Sequence, residues 1–292
     1  DEMTRCCKCP LPAMIYQKYS GMHLCRAHFE DDIHRKAREI LRQSGLFAHG
    51  LRLALLMDGG EGSAVMASII KSLFGCRRDI DLIALIIDDR GPGLRAARVA
   101  CQQLGLFSSI ELLPAPPRNG GGRGDLLPDP SHPVQRARRA ASLAQERGAD
   151  AMATGEDLDD VATGIFMSYL DGDIDGLRYR LPDAGQGMRQ GGRGTIPIIQ
   201  PLRRIPAREG RLYALQHGLC FCRERGKGEG IEEERQARAR EELSLFDLRH
   251  PGTKYSLLRS LEKLGLRDLI DQGPPGAKPL SDGEKYLDPV PR

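Results

Sequence analysis

The stretch 51–74, LRLALLMDGGEGSAVMASIIKSLF, most constrains this chain: an apolar run of strand length enters a Gly-Gly turn and leaves as a helix. Paired glycines turn tightly and bring backbone N–H groups up to an anion, and the helix adds the positive end of its dipole. Asp58, Gly59, Gly60 and Ser63 are therefore candidate nucleotide-binding residues. The same loop puts Asp58 and Glu61 where a polyphosphate would arrive, and it supplies no Lys.

Strand-turn-helix units continue from there. Residues 80–87 (IDLIALII) read as a second strand, and like 51–57 they are almost wholly apolar, as a parallel sheet buried on both faces requires. Helices are predicted at 63–73, 92–104, 133–147 and 157–170, with short strands at 110–113 and 151–154 and a closing strand within 196–202. The alternation predicts a doubly wound, Rossmann-like α/β sheet, whose ligands sit beyond the carboxyl ends of the strands. Asp88 and Gly155 fall at such ends and join the candidate nucleotide contacts. Residues 114–133 form a Gly/Pro-rich loop too long for a plain connection, and 172–194 form a second Gly/Arg-rich stretch expected to be mobile. A helix is expected over 29–44, and helices over 211–270 with a break at His250-Pro251-Gly252.

The eight cysteines are unevenly spread, four of them within the first 25 residues. Cys6-x2-Cys9 and, fifteen residues on, Cys25-x2-His28 supply two close pairs of ligands, the pattern of tetrahedral structural zinc. Cys7 is the alternative to Cys6 in the first pair. A closed shell of four ligands leaves no open position for catalysis, so the metal would act by folding the module. Residues 1–32 are thus expected to be a zinc-binding module, 33–210 the α/β domain, and 211–292 a helical extension.

The segment Gly155-Glu156-Asp157-Leu158-Asp159-Asp160 reads either as an acidic helix cap or as a magnesium or nucleotide contact. With 292 residues, 40% apolar content and a net charge of +3, the chain has the bulk for one main domain with satellites, and its charge does not demand nucleic acid. The clusters Arg136, Arg138, Arg139 and 203–211 read as solvated faces when taken alone. No run reaches the roughly 18 apolar residues of a membrane span, and the expected location is the cytoplasm.

Taken in order, these motifs resemble the PP-loop ATP pyrophosphatases that 2-thiolate tRNA, the group of the TtuA-type thiouridine synthetases, with the TtcA-type enzymes more distant. The module ending in Cys25-Arg26-Ala27-His28-Phe29 is similar to that family's C-x-x-H-F. Its S-G-G-K-D-S loop falls on 58–63, its acidic strand end on Asp88, and its G-H-N-L-D-D on 155–160, followed by Gly172-Asp173. Residues 205–209 and 250–255 resemble its I-P-E-K-E and H-P-G-x-K-Y segments.

The resemblance implies ATP-dependent adenylation of a tRNA uridine at its C2 oxygen, Mg²⁺, and sulfur supplied by a carrier protein or cluster. It assigns Asp159 and Cys222 as candidate catalytic residues, Cys222 matching the third of three family cysteines. The family's P-C-S-x-C-G falls on 129–134, where Pro130 and Pro133 replace both cysteines. Asp58, Glu61 and Gly62 replace its Ser, Lys and Asp; Glu156 replaces its His; Ile198 and Gln200 replace an Arg and a Lys; and the second zinc module is degenerate. The expectations are a structural zinc at Cys6, Cys9, Cys25 and His28, weak binding of ATP with Mg²⁺, and no iron-sulfur cluster. The chain is expected to be a non-catalytic or altered paralogue, with an active, cluster-independent tRNA 2-thiouridine synthetase as the alternative. Candidate partners are tRNA, a sulfur-carrier or thiolation protein, and a second copy of the chain. Restoring the loop by Asp58→Ser, Glu61→Lys and Gly62→Asp is expected to recover part of the ATP binding.

Overall fold

The computed structural model describes residues 4–88, 92–106, 110–114, 133–181, 196–222 and 231–271. An antiparallel hairpin of β1 (Ile15–Gln17) and β2 (Met22–Leu24) opens the fold and runs into α1 (Arg26–Gln43). The repeating units follow: β3 (Leu51–Met57), α2 (Glu61–Phe74), β4 (Ile80–Asp88), α3 (Pro92–Gln103), β5 (Ile110–Pro114), α4 (Pro133–Glu146), β6 (Ala151–Ala153), α5 (Leu158–Asp171), α6 (Ile174–Tyr179) and β7 (Ile198–Ile199). Three helices complete the described chain: α7 (Ala207–Gln216), α8 (Ile231–Arg249) and α9 (Thr253–Asp271).

β3 to β7 form one all-parallel sheet in the order β5-β4-β3-β6-β7. The order reverses between β3 and β6, so loops 58–60 and 154–157 open side by side at the switch point of a doubly wound fold. Burial explains the apolar strands. Leu53, Leu55 and Met57 face a core shared with α1, α2, α3 and α7, while Ala54 and its neighbours Ile83, Leu85 and Met152 face α4 through Ala140, Ala141 and Ala144. Cys6, Ile15, Leu24, Cys25 and Phe29 belong to the first of these cores, so the amino-terminal module packs continuously with the sheet.

Two elements differ from the sequence reading. Within 172–194, Asp173 accepts a hydrogen bond from Gly176 N at 3.0 Å and caps the short helix α6; residues 182–195 lie outside the described residues. The expected helical run from 211 stops at Gln216, because Gly218 takes a left-handed φ of 59° and the chain returns along 219–222 to the Gly-Gly loop. The long loop at 115–132 and the stretch 272–292 lie outside the described residues.

A buried ionic hub ties the pieces together. Lys36 Nζ contacts Asp32 Oδ2 at 2.8 Å, Glu209 Oε2 at 3.0 Å and the Tyr19 hydroxyl at 2.5 Å, and Tyr19 donates to Glu209 Oε1 at 2.7 Å. Tyr255 of α9 packs its ring 4.7 Å from that of Tyr19. Among the described residues, no helix is long and apolar enough to cross a membrane.

Candidate nucleotide crevice and metal centre

The hairpin and the first turn of α1 bring Cys6, Cys9, Cys25 and His28 together, with one ligand atom from each lying within 4.8 Å of all the others. Cys6 Sγ stands 3.5 Å and Cys25 Sγ 3.3 Å from His28 Nδ1, and Cys9 Sγ lies 3.6 Å from Cys25 Sγ. Thiolates about 2.3 Å and an imidazole nitrogen about 2.0 Å from one tetrahedral ion have edges of roughly 3.5–3.8 Å between them, so the set fits a single metal ion. Cys7 is exposed and outside the group, its Sγ accepting from His23 N at 3.3 Å. Burial acts to raise the Cys6 thiol, but the amides of Lys8 and Cys25 and the side chains of His28 and Cys25 overrule it and bring the pKa down to about 6.

At the switch point, Gly59 has a φ of 76°, and a Cβ there would sit 2.0 Å from Gly93 O, so only glycine suits the turn. Asp58 Oδ1 accepts from Gly60 N at 2.9 Å, holding one of the loop's own amides. The buried Ser63 hydroxyl donates to Gly60 O at 2.9 Å. Glu61 Oε2 meets Arg211 Nε of α7 at 3.0 Å, with the Arg211 side chain about half exposed. Cys222 N donates to Gly59 O at 2.8 Å, which places Cys222 beside the loop, while Cys220 N donates to Gln103 Oε1 at 2.9 Å at the end of α3; both cysteines are half-buried. The side chain of Asp88 lies outside the described residues.

The acidic segment is tied into the fold. Asp157 caps α5 in a reciprocal box with Asp160, accepting from Asp160 N at 2.9 Å. Arg240 of α8 meets Asp160 Oδ1 at 2.7 Å and Asp157 Oδ1 at 3.6 Å. Asp159 pairs with Lys254 of α9 and accepts from Ala207 N at 2.8 Å. Glu156 Oε2 accepts from Gln200 Nε2, from the Tyr179 hydroxyl at 3.2 Å and from Thr154 Oγ1 at 3.4 Å. Burial raises the carboxyl pKa values of Glu156 and Asp157, and the charge of Asp160 adds to it.

Sequence reasoning missed Arg211, Arg240, Lys254 and Tyr179 as partners of these acids. Lys254 sits inside the family-like segment 250–255 and Arg211 at the end of the basic cluster 203–211, so each offered a signal; Arg240, in a largely polar helix, offered none. Glu156 and Gln200 had each been singled out as a departure, and the fold makes them direct partners.

The fold and its crevice define a doubly wound α/β protein with a glycine-paired loop at the switch point and a four-ligand Cys/His knuckle packed on its side. No family model matches the chain. It is 27% identical over 275 residues to a probable sulfurtransferase of Methanocaldococcus jannaschii, covering 88% of this chain and 77% of that protein. It is 28% identical over 304 residues to the tRNA 2-thiolation protein NcsA of Haloferax volcanii, covering 96% of this chain and 92% of that one. The solved structure of the U34-tRNA thiolase NcsA from Methanococcus maripaludis superposes with a TM-score of 0.75 at 24% identity, over 90% of this chain and 88% of the other. In sequence the chain is similar to tRNA thiolation proteins of the TtuA/NcsA type, and in fold to the NcsA thiolase.

One expectation is overturned. The Methanococcus thiolase was solved with its [4Fe-4S] cluster, so the absence of a cluster cannot be carried over to this chain from the motif at 129–134. Pro130 and Pro133 aside, the fold gathers a thiol-rich group in the knuckle and sets Cys222, the remaining family-like cysteine, against the Gly-Gly loop with Cys220 two residues before it.

Proposed function

We propose that this chain acts in tRNA 2-thiolation as a sulfurtransferase-type protein of the cytoplasm, binding tRNA and holding an adenine nucleotide in the crevice between loops 58–63 and 154–157. The observation that supports this best is the close approach of those loops at the switch point, in a chain similar to tRNA thiolation proteins over nearly its whole length. The first-turn amides of α2, which a helix cannot satisfy itself, and the positive end of its dipole would receive the phosphates. Asp58 and Glu61 oppose this: two unit charges about 4 Å apart cost roughly 4 kcal/mol at an effective dielectric near 20. Arg211 offsets the Glu61 charge, and Mg²⁺ would meet the remainder.

In the same reading Cys6, Cys9, Cys25 and His28 hold one structural metal ion, and zinc suits the donor set. An iron-sulfur cluster at the crevice would draw a thiolate from Cys222, which stands against the loop, and from Cys220 two residues before it. Such a cluster supplies or relays sulfur. Asp159, paired with Lys254, positions α5 against α9.

A second reading, a non-catalytic paralogue that keeps the fold and the tRNA surface, is favoured by one observation: Asp58 Oδ1 already occupies Gly60 N. The test combines ATP calorimetry with Mg²⁺, a tRNA-binding titration, and mass spectrometry of tRNA from cells in which this chain is the sole thiolation protein. Micromolar ATP binding with 2-thiouridine formed supports the enzyme. tRNA binding with neither supports the paralogue, and absence of all three rejects both.

A further inference from the structure

Residues 4–29 carry Arg5, Lys8, Lys18 and Arg26 and no Asp or Glu, in a chain whose net charge is only +3. Glu30, the first acid after them, turns toward α7 and meets His217 Nε2 at 3.4 Å. On the outer face of the hairpin, Tyr16 and His23 are cross-strand partners whose rings stack at 4.5 Å with 23° between planes. Tyr16 stays 44% exposed, with Leu11 and Met14 also exposed near it in sequence. Cys7 N donates to His23 O at 2.8 Å, which sets the knuckle carrying Lys8 against this pair, and exposed Lys18 follows Tyr16 by two residues.

We propose that this face of the module is an RNA contact, in which the Tyr16–His23 stack receives an unpaired base of the tRNA and Lys8 and Lys18 hold the flanking phosphates. The proposal rests on the tRNA reading above and adds where and how the RNA is held. Aromatic faces stack on unpaired bases regardless of sequence, and lysines beside them neutralise the backbone; the exposed pair, on a segment that carries four cations and no acid of its own, combines both requirements, and the acids that share a cleft with Tyr16 and Lys18 are themselves engaged, Asp159 by Lys254, Glu209 by Lys36 and Asp247 by the amides of Gly252 and Lys254. The face lies on the outer side of the hairpin, opposite Ile15 and Gln17, which point into the fold. It is therefore open to a large ligand without disturbing the metal ligands beneath.

The experiment measures binding of an unmodified tRNA transcript and of a fully paired RNA duplex to the intact metal-loaded chain, across a salt series. Tyr16→Ala with His23→Ala should weaken tRNA binding about 5- to 150-fold, the range for one lost base stack, and leave duplex binding unchanged. Tyr16→Phe should bind tRNA as the parent does. Lys8→Ala with Lys18→Ala, both changes on exposed side chains, should lower the slope of log Kd against log salt by about 1.4–1.8. Metal content of one ion per chain checks that each variant is folded. If the parent binds tRNA and neither double variant alters the affinity or the slope, the inference is overturned and the face is left to a protein partner. An equal loss for tRNA and duplex overturns the stacking role. Failure of the parent itself to bind tRNA rejects the function proposed above, and this contact with it.

Discussion

Gly62 and Gly155 touch backbone to backbone: a Cβ on Gly62 would lie 2.0 Å from Gly155 O, and one on Gly155 would lie 2.4 Å from Gly62 C. The two loops of the crevice are thus spaced by the absence of two side chains. Gly62→Asp therefore forces backbone apart, where no flexible group can yield. It should destabilise the chain by about 3 kcal/mol, the upper end for overpacking, in chemical denaturation. The triple change, expected to recover part of the ATP binding, carries this strain with it. Asp58→Ser with Glu61→Lys should perform better than the same pair with Gly62→Asp, and equal performance would show that the loops separate freely.

Glu61 and Arg211 form a half-exposed pair, so breaking it should cost less than about 1 kcal/mol of stability. Its effect on an anion should be larger. Arg211→Ala leaves both loop acids uncompensated and should weaken ATP binding several-fold at low salt, with the difference shrinking as salt rises. Calorimetry at two salt concentrations reads this.

The candidate metal ligands belong to a core that is continuous with the sheet, through Cys6, Cys25 and the adjoining Phe29. Cys9→Ser with Cys25→Ser should abolish the one metal ion per chain measured by elemental analysis. It should also lower the melting temperature of the whole protein and not of a separable module, since loss of a structural metal removes folding energy outright. An unchanged melting temperature would separate the module from the domain.

Burial lifts the carboxyl pKa of Glu156 above its ordinary value. A folded state that holds this proton more tightly than the unfolded state loses stability as pH rises from the ordinary carboxylate range through the raised value. Glu156→Gln removes that loss. The variant should gain stability over the parent near neutral pH and match it below about pH 4. A constant difference at all pH values would place the charge of Glu156 outside the balance.

Anaerobic reconstitution with iron and sulfide should load iron on the parent and less on Cys220→Ser with Cys222→Ser, while the zinc content stays at one. Equal iron in both would move a cluster away from the crevice.

The sheet was legible because burial on both faces leaves an unmistakable mark: the apolar runs at 51–57 and 80–87 became neighbouring parallel strands. The knuckle was legible because paired spacing of ligands is rare by chance, and the fold chose Cys6 over Cys7 by turning Cys7 outward. The counter-charges of the crevice were not legible. Arg211 lies 150 residues from Glu61, and Lys254 lies 95 from Asp159, separations that no local pattern encodes. The end of α7 was missed because one left-handed glycine at 218 outweighs the helical propensity around it.

The Lys36 hub bears on the order in which the molecule is built. Tyr19 bonds Glu209 across 190 residues and Lys36 bonds it across 173, and contacts of such separation form late. While the chain emerges from a ribosome, Lys36 and Asp32 have only local partners, each other with Gln17, Tyr19 and Arg35, until Glu209 arrives. The knuckle can take its metal early, as all four ligands lie within residues 6–28. A head braced by a metal would then be expected to form ahead of the sheet, with the apolar residues Cys6, Ile15, Leu24 and Phe29 exposed until the strands that share their core are made.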